Sequence, residues 1–174
     1  MANSDEVETA GQSRRELLHW FEELRGPLCR YLMCRGASRA DAEDAVQEAF
    51  LKFHRHLDNS GNRTNLSGWV FQVARNHLRD DRKSARHRWT VPLEDAITHR
   101  ADSRSGPEYG ALSRERAERL RSAIERLPEQ QRECMLLRAS GLRYREIAEI
   151  MGINTASVGS LAHRAVSRLS EDLS

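Results

Sequence analysis

The sequence predicts an all-α protein of two small helical domains joined by a flexible linker, and three observations carry the prediction. Apolar residues recur at three- and four-residue spacing along most of the chain, the period of a helix that buries one face. No stretch of any length alternates apolar and polar residues in the two-residue rhythm of a strand. The pattern lapses from Trp89 to Gly110, where proline, glycine, serine and aspartate collect, and few contacts should cross such a segment. A length of 174 residues leaves room for two small domains. Each buries a modest share of its surface and is only marginally stable alone.

Residues 1–12 are polar and small and are expected to be disordered. Ser13 followed by Glu16 has the form of a capping box, in which the two side chains satisfy backbone N–H groups of the first turn. The helix it starts carries Leu17, Trp20, Phe21, Leu24 and Leu28, and Pro27 either kinks it or opens a second one. Tyr31 and Leu32 extend the apolar face to Gly36, a C-terminal stop. Ser38 caps the next helix, whose stripe is Ala42, Ala45, Val46, Ala49, Phe50 and Phe53. Its other face holds Asp41, Asp44, Glu48 and Lys52. Asp58 to Asn65 is dense in turn formers and reads as a loop. Trp69, Val70, Val73, Ala74 and Leu78 mark a third helix, which runs into a basic stretch and completes a first domain over residues 13–88. After the linker, residues 89–110, a second domain spans 111–174. It opens with a helix carrying Leu112, Leu120, Ala123, Ile124 and Leu127, ended by Pro128; Met135, Leu136 and Leu137 lie on the next.

The formal net charge of +2 does not announce nucleic acid, but its distribution does. Between Arg75 and Arg88 stand Arg75, Arg79, Arg82, Lys83, Arg86 and Arg88 against Asp80 and Asp81, whereas Asp41, Glu43, Asp44 and Glu48 form an acidic stretch. One surface suits phosphates and another a protein partner. Cys29, Cys34 and Cys134 lack the paired spacing of a zinc site or disulfide scaffold and read as reduced, mostly buried thiols. His54 and His56 lie close together with no third ligand at useful spacing. No Gly-rich phosphate loop, HExxH or nucleophile elbow stands out. No apolar run approaches a membrane span, and no basic-then-apolar leader precedes the first helix. The expectation is a cytoplasmic protein that is not an enzyme, without metal, cofactor or membrane insertion.

Tyr144 to Leu169 (YREIAEIMGINTASVGSLAHRAVSRL) fits a helix-turn-helix. Ala148 is small where two helices cross closely, and Gly152 can take the positive φ of a tight turn. Ile147, Ile153 and Val158 supply the core between them, and Asn154 can cap the second helix. Thr155, Ala156, Ser157, Gly159, Ser160, His163 and Arg164 would then project outward, into a DNA major groove. On this segment alone, a helical hairpin that merely packs remains open.

The N-terminal half narrows the choice. Asp41 to Phe53 (DAEDAVQEAFLKF), Trp69 to Asn76 (WVFQVARN) and the basic His77 to Arg88 (HLRDDRKSARHR) follow one another in that order. The arrangement closely resembles region 2 of the sigma-70 family of RNA polymerase sigma factors, in its extracytoplasmic-function group. Pro107 to Leu137 with the helix-turn-helix looks like region 4. The resemblance covers about Leu17 to Leu173, with a divergent linker. It implies a factor that directs RNA polymerase core to specific promoters, in a stress or envelope response.

The resemblance also implies roles for matching residues. Asp41, Asp44, Gln47, Glu48 and Lys52 would dock on the clamp helices of the polymerase β′ subunit, an acidic face suiting a basic partner. Arg75, Asn76, Arg79, Arg82, Lys83 and Arg86 would hold the opened –10 element, cations tracking phosphates while a splayed base is captured. Asn62 and Asn65 would meet a base edge in the preceding loop, and Trp69 is expected in the core rather than stacked on a base. Arg143, Thr155, Ala156, Ser157, Ser160, His163 and Arg164 would contact the –35 duplex, and this domain would also reach the β flap. An anti-sigma protein is a further partner such factors commonly have. The family often has Lys or Arg at the positions of Gly159 and Leu161. The loss of both implies a weaker or differently selected –35 contact, which restoring the cations would tighten. Two other classes share the C-terminal motif, a free-standing DNA-binding regulator and a sigma-like interaction adaptor. Neither explains the DAEDAVQEAFLKF helix followed by WVFQVARN.

Overall fold

The computed structural model describes the backbone of residues 3–60, 63–84 and 107–174 and the side chains of 11–59, 63–80 and 115–174. Among the described residues the regular elements are all α-helical: α1 (Asn3–Cys34), α2 (Arg39–Ser60), α3 (Leu66–Ser84), α4 (Pro107–Arg126), α5 (Glu129–Ala139), α6 (Tyr144–Met151) and α7 (Thr155–Leu173). The chain divides into two compact units, Met1–Val91 and Pro92–Ser174.

In the first unit α1, α2 and α3 each pack on the other two. Gly36 takes a φ of 89°, and Ala37 N–H donates to Leu32 O at 3.1 Å, which closes α1 and turns the chain back. Ser38 then caps α2, its Oγ accepting from Asp41 N–H at 3.1 Å. The alanines at 42, 45 and 49 are fully or almost fully buried, so the helices approach closely around them. Leu28, Tyr31 and Leu32 of α1, Phe53 of α2 and Val70, Phe71 and Ala74 of α3 complete the core. Edge-on contact of Phe21 with Phe50, and of Phe50 with Phe53, continues it along one side.

Several expectations are corrected. Residues 3–12 are not a disordered tail but the first turns of α1. Once a helix is nucleated each added residue gains a hydrogen bond at little cost, and no proline interrupts the chain before Pro27. Ser13 therefore sits inside the helix rather than at its cap; it is buried, and its hydroxyl finds no hydrogen-bond partner among the described residues. Pro27 lies within the same helix. The helical residues Pro107–Gly110 belong to α4 rather than to the linker, proline being tolerated where a first-turn N–H would go unused. The remainder of that segment, residues 89–106, lies outside the described residues. Leu120, expected on the apolar stripe, is 41% exposed. Phe71 was not in the predicted stripe of α3, yet it is fully buried and tilted against Tyr31 with ring centroids 5.5 Å apart.

In the second unit α7 packs on α4, α5 and α6. Ala123, Leu127, Cys134, Leu137, Leu142, Ile147 and Val158 form its core. Arg126 of α4 pairs with Asp172 of α7 at 3.2 Å on the exposed rim. Gly152 adopts the left-handed conformation, φ 69°, and Ile153 N–H donates to Ala148 O at 3.0 Å. That geometry ends α6 in two residues and points the chain into α7. Asn154 Oδ1 accepts from Ser157 N–H at 2.7 Å and caps α7 as its sequence position predicts. Asn154→Ala is expected to cost about 1 kcal/mol. Lower thermal stability of the C-terminal unit, with unchanged helix content at low temperature, is the check.

Candidate nucleic-acid and partner interfaces

Burial of one stripe of α2 leaves its opposite face free. Asp44 and Gln47 are exposed there, and Glu48 is half-buried with Lys52 Nζ 3.3 Å from its Oε1. Such an exposed i, i+4 pair adds little stability, so the charges are available to a partner. Asp41 has a local task, since its N–H and its carboxylate both bond Ser38 at the start of the helix. The structure adds a residue that the sequence reading passed over. Leu51 stands four positions after Gln47 and three after Glu48, on the polar face, and is 57% exposed. The signal was available, as Leu51 is an apolar residue off the stripe.

The end of the loop before α3 is held from two sides. Arg63 makes an ion pair with Glu16 of α1. Asn65, at a left-handed φ of 53°, accepts from Gly68 N–H at 3.1 Å through Oδ1. It is thus the N-cap of α3, a role the base-edge reading did not foresee, although asparagine ahead of an apolar run is the usual signal. A Cβ on Gly68 would run into the Asn65 side chain. Trp69 is half-buried, stacked on His56 at 4.6 Å and tilted toward Phe53 at 5.9 Å. These ring contacts give it a packing role at the edge of the core. Further along α3, Arg75 and Asn76 are half-buried, and Arg79 is exposed with Asp80 at 3.9 Å. Arg82 and Lys83 lie on the described backbone of α3, but their side chains, like Asn62 and Arg86, fall outside the described residues.

On α7 the outward row is as the motif predicts. Thr155, Ala156, Ser160, His163 and Arg164 are exposed, and Ser157 and Gly159 half-buried. Arg164 Nε donates to Ser160 O at 3.2 Å, which holds the guanidinium along the helix surface. Arg143 is exposed, its N–H donating to Glu146 at 2.6 Å. One expectation fails. Leu161 is 7% exposed and belongs to the buried row Val158, Leu161, Ala162 and Ala165. It is therefore part of the core in this chain, and an arginine there would not restore a DNA contact without disturbing the packing. Gly159, by contrast, borders the outward row.

Among the described residues no cluster of three or more metal-ligating side chains occurs. The three cysteines are free. Burial pushes the thiols of Cys29 and Cys134 up, with Glu43 and Glu133 adding to the shift. Burial pushes Cys34 to about 11, partly offset by Arg30. None has the depressed value of a reactive thiol.

With this geometry in view, two known patterns match the chain: Sigma-70 region 2 over residues 20–88 and Sigma-70 region 4 over residues 117–169. The chain is 31% identical to the ECF RNA polymerase sigma factor ShbA of Streptomyces griseus, over 94% of its own length and 88% of that protein's. The chain belongs to the extracytoplasmic-function group of sigma factors. This sigma factor is also 32% identical to BldN of Streptomyces coelicolor, where the match takes in 86% of this chain but only 57% of that longer protein. Among solved structures, the sigma factor RpoE of Bartonella quintana, crystallised with the anti-sigma factor NepR, aligns with a TM-score of 0.63 and 25% identity. That alignment covers 92% of this chain and 95% of RpoE. Sigma factors are transcription initiation factors, and the two matched regions are those that bind core polymerase and promoter DNA. No described helix is long and apolar enough to cross a membrane.

Two measurements follow for this sigma factor. Leu161→Arg is expected to destabilise the C-terminal unit by about 3 kcal/mol or more, because a charge replaces a buried leucine; chemical denaturation reads this directly. Cys34 should alkylate about a hundredfold more slowly at pH 8 than an unperturbed thiol, since only its thiolate reacts. Its rate should climb until the pH passes about 11.

Proposed function

We propose that this chain recruits core RNA polymerase through the outward face of α2, opens the –10 element with α3 and its preceding loop, and grips the –35 duplex with α7. The observation that carries the reading is the one-sidedness of α2, in a chain that also carries a capped helix-turn-helix. A helix that buries its whole apolar stripe yet keeps Asp44, Gln47, Glu48 and Leu51 outward offers a ready face for a basic partner with an apolar spot. The clamp helices of β′ are the partner the family supplies. The matching face of α3 carries Arg75, Asn76 and Arg79, and the helix continues through Arg82 and Lys83. Cations in that row hold a single strand through its phosphates.

Asn62 and Asn65 belong to this reading with different weight, since Asn65 also caps α3. Arg143, Thr155, Ala156, Ser157, Ser160, His163 and Arg164 are the –35 surface, and the same domain reaches the β flap. The setting is the cytoplasm, the work is initiation rather than catalysis, and the programme served is a stress or envelope response. The NepR complex of the Bartonella relative supports an anti-sigma protein as a third partner. A free-standing regulator would have no use for the α2 face.

Reconstitution with bacterial core polymerase and mapping of transcript start sites tests the whole. Specific starts that vanish without the chain are expected, and their absence from every native template would end the proposal. Asp44→Arg together with Glu48→Arg should abolish co-elution with core while helix content and melting stay unchanged. Retained core affinity would show that the docking face lies elsewhere.

A further inference from the structure

Gly159 leaves a gap at the edge of the outward row of α7, and the gap has a floor. A Cβ built on Gly159 would lie 3.9 Å from Cε2 of Tyr144, the first residue of α6. Tyr144 is 40% exposed. Among the described residues none bonds its hydroxyl. Arg138 lies over the same ring, its guanidinium carbon 5.8 Å from the centroid, and its Nη1 donates to Leu142 O at 3.1 Å. The cation is therefore held in place before any ligand arrives. The charged residues flanking Tyr144 are mixed, with one cation in excess once Arg138 is counted: Arg143 is exposed, Glu146 accepts from the Arg143 N–H, and Glu149 faces Arg145 at 3.6 Å.

We propose that Gly159, Tyr144 and Arg138 form a seat for one backbone phosphate of the –35 duplex. The first helix of a helix-turn-helix crosses the sugar-phosphate backbone while the second enters the groove, which puts the start of α6 beside a strand. Glycine at 159 lets that strand approach the α7 backbone closely. The Tyr144 hydroxyl donates to a phosphate oxygen, and the Arg138 guanidinium supplies the opposing charge. The missing cation at 159 is thus replaced by a closer approach, and the contact adds affinity without reading sequence. The inference rests on α7 facing the –35 duplex.

Alanine at 159 separates this from a merely weak helix position. The Cβ has room in the free protein, where its nearest neighbour, Tyr144 Cε2, lies at an ordinary van der Waals distance, and alanine favours a helix over glycine. Gly159→Ala should therefore melt at or above the native temperature. In holoenzyme made from the full chain and core polymerase, it should nonetheless bind a mapped promoter about tenfold more weakly. Tyr144→Phe should lose a similar factor, equally for every –35 base substitution. Arg138→Ala should lower the salt slope of binding by about one. A single methylphosphonate in the upstream DNA should reproduce the loss with the native chain and add nothing with Tyr144→Phe.

Arg164→Ala serves as the reference. If it weakens upstream protection while Gly159→Ala and Tyr144→Phe bind as the native chain does, the seat is wrong and the role of α7 stands. If none of the three alters upstream protection, the role of α7 falls and the seat with it.

Discussion

Close seating of α2 against α1 and α3 through Ala42, Ala45 and Ala49 is the constraint from which the first unit follows. Side chains of one carbon let the backbones approach, and the larger rings of Phe50, Phe53 and Phe71 fill the space at either side. Dense packing of this kind has little tolerance for added volume. It also decides orientation: with that stripe fixed inward, Asp44, Gln47 and Glu48 can only face out. The polar face needs no stabilising interactions of its own, because the opposite face holds the helix in place. The polar face is thereby left free of any part in holding the helix to its unit.

The second unit solves a similar problem with backbone rather than volume. A three-residue connection between α6 and α7, Gly152 to Asn154, is available because Gly152 takes a positive φ and Asn154 satisfies a first-turn N–H. Helix ends carry unsatisfied N–H and C=O groups, and here both ends meeting at the turn are served by neighbours in sequence. The crossing of the two helices is then set over Ala148, Ile147 and Val158, all buried. A helix held this way presents its outward row in a fixed register. The proposed –35 contacts would require that register, because each correct base pairing contributes only a few kcal/mol of discrimination.

What the sequence made legible was largely what is decided locally. Ser38, Gly36, Gly152 and Asn154 act on backbone groups a few residues away, so their roles could be read without knowing the fold. The stripe of α2 was equally plain, because every member is buried on one helical face. Errors arose where a local signal competed with its context. Ser13 has the form of a cap, but a helix already propagating from Asn3 absorbs it. Phe71 fell outside a stripe counted from Trp69, although Leu66, Val70, Ala74 and Leu78 align with it on the buried side. Leu161 stands where the family often has a cation, yet its spacing from Val158, Ala162 and Ala165 marks it as core, and the structure buries all four. The pairing of Arg63 with Glu16 joins residues distant in sequence, and no pattern along the chain announces it.

The bond between Asn65 and Gly68 has a practical consequence for anyone exchanging the segment ahead of α3. Swapping the segment ahead of α3 for one from a relative transplants only half of a small mechanical unit, because the receiving helix was cut to fit its own asparagine. Any residue larger than glycine at 68 would evict that side chain. The workable graft boundary therefore lies inside the helix rather than at its visible start, and libraries that randomise the segment should leave both positions untouched.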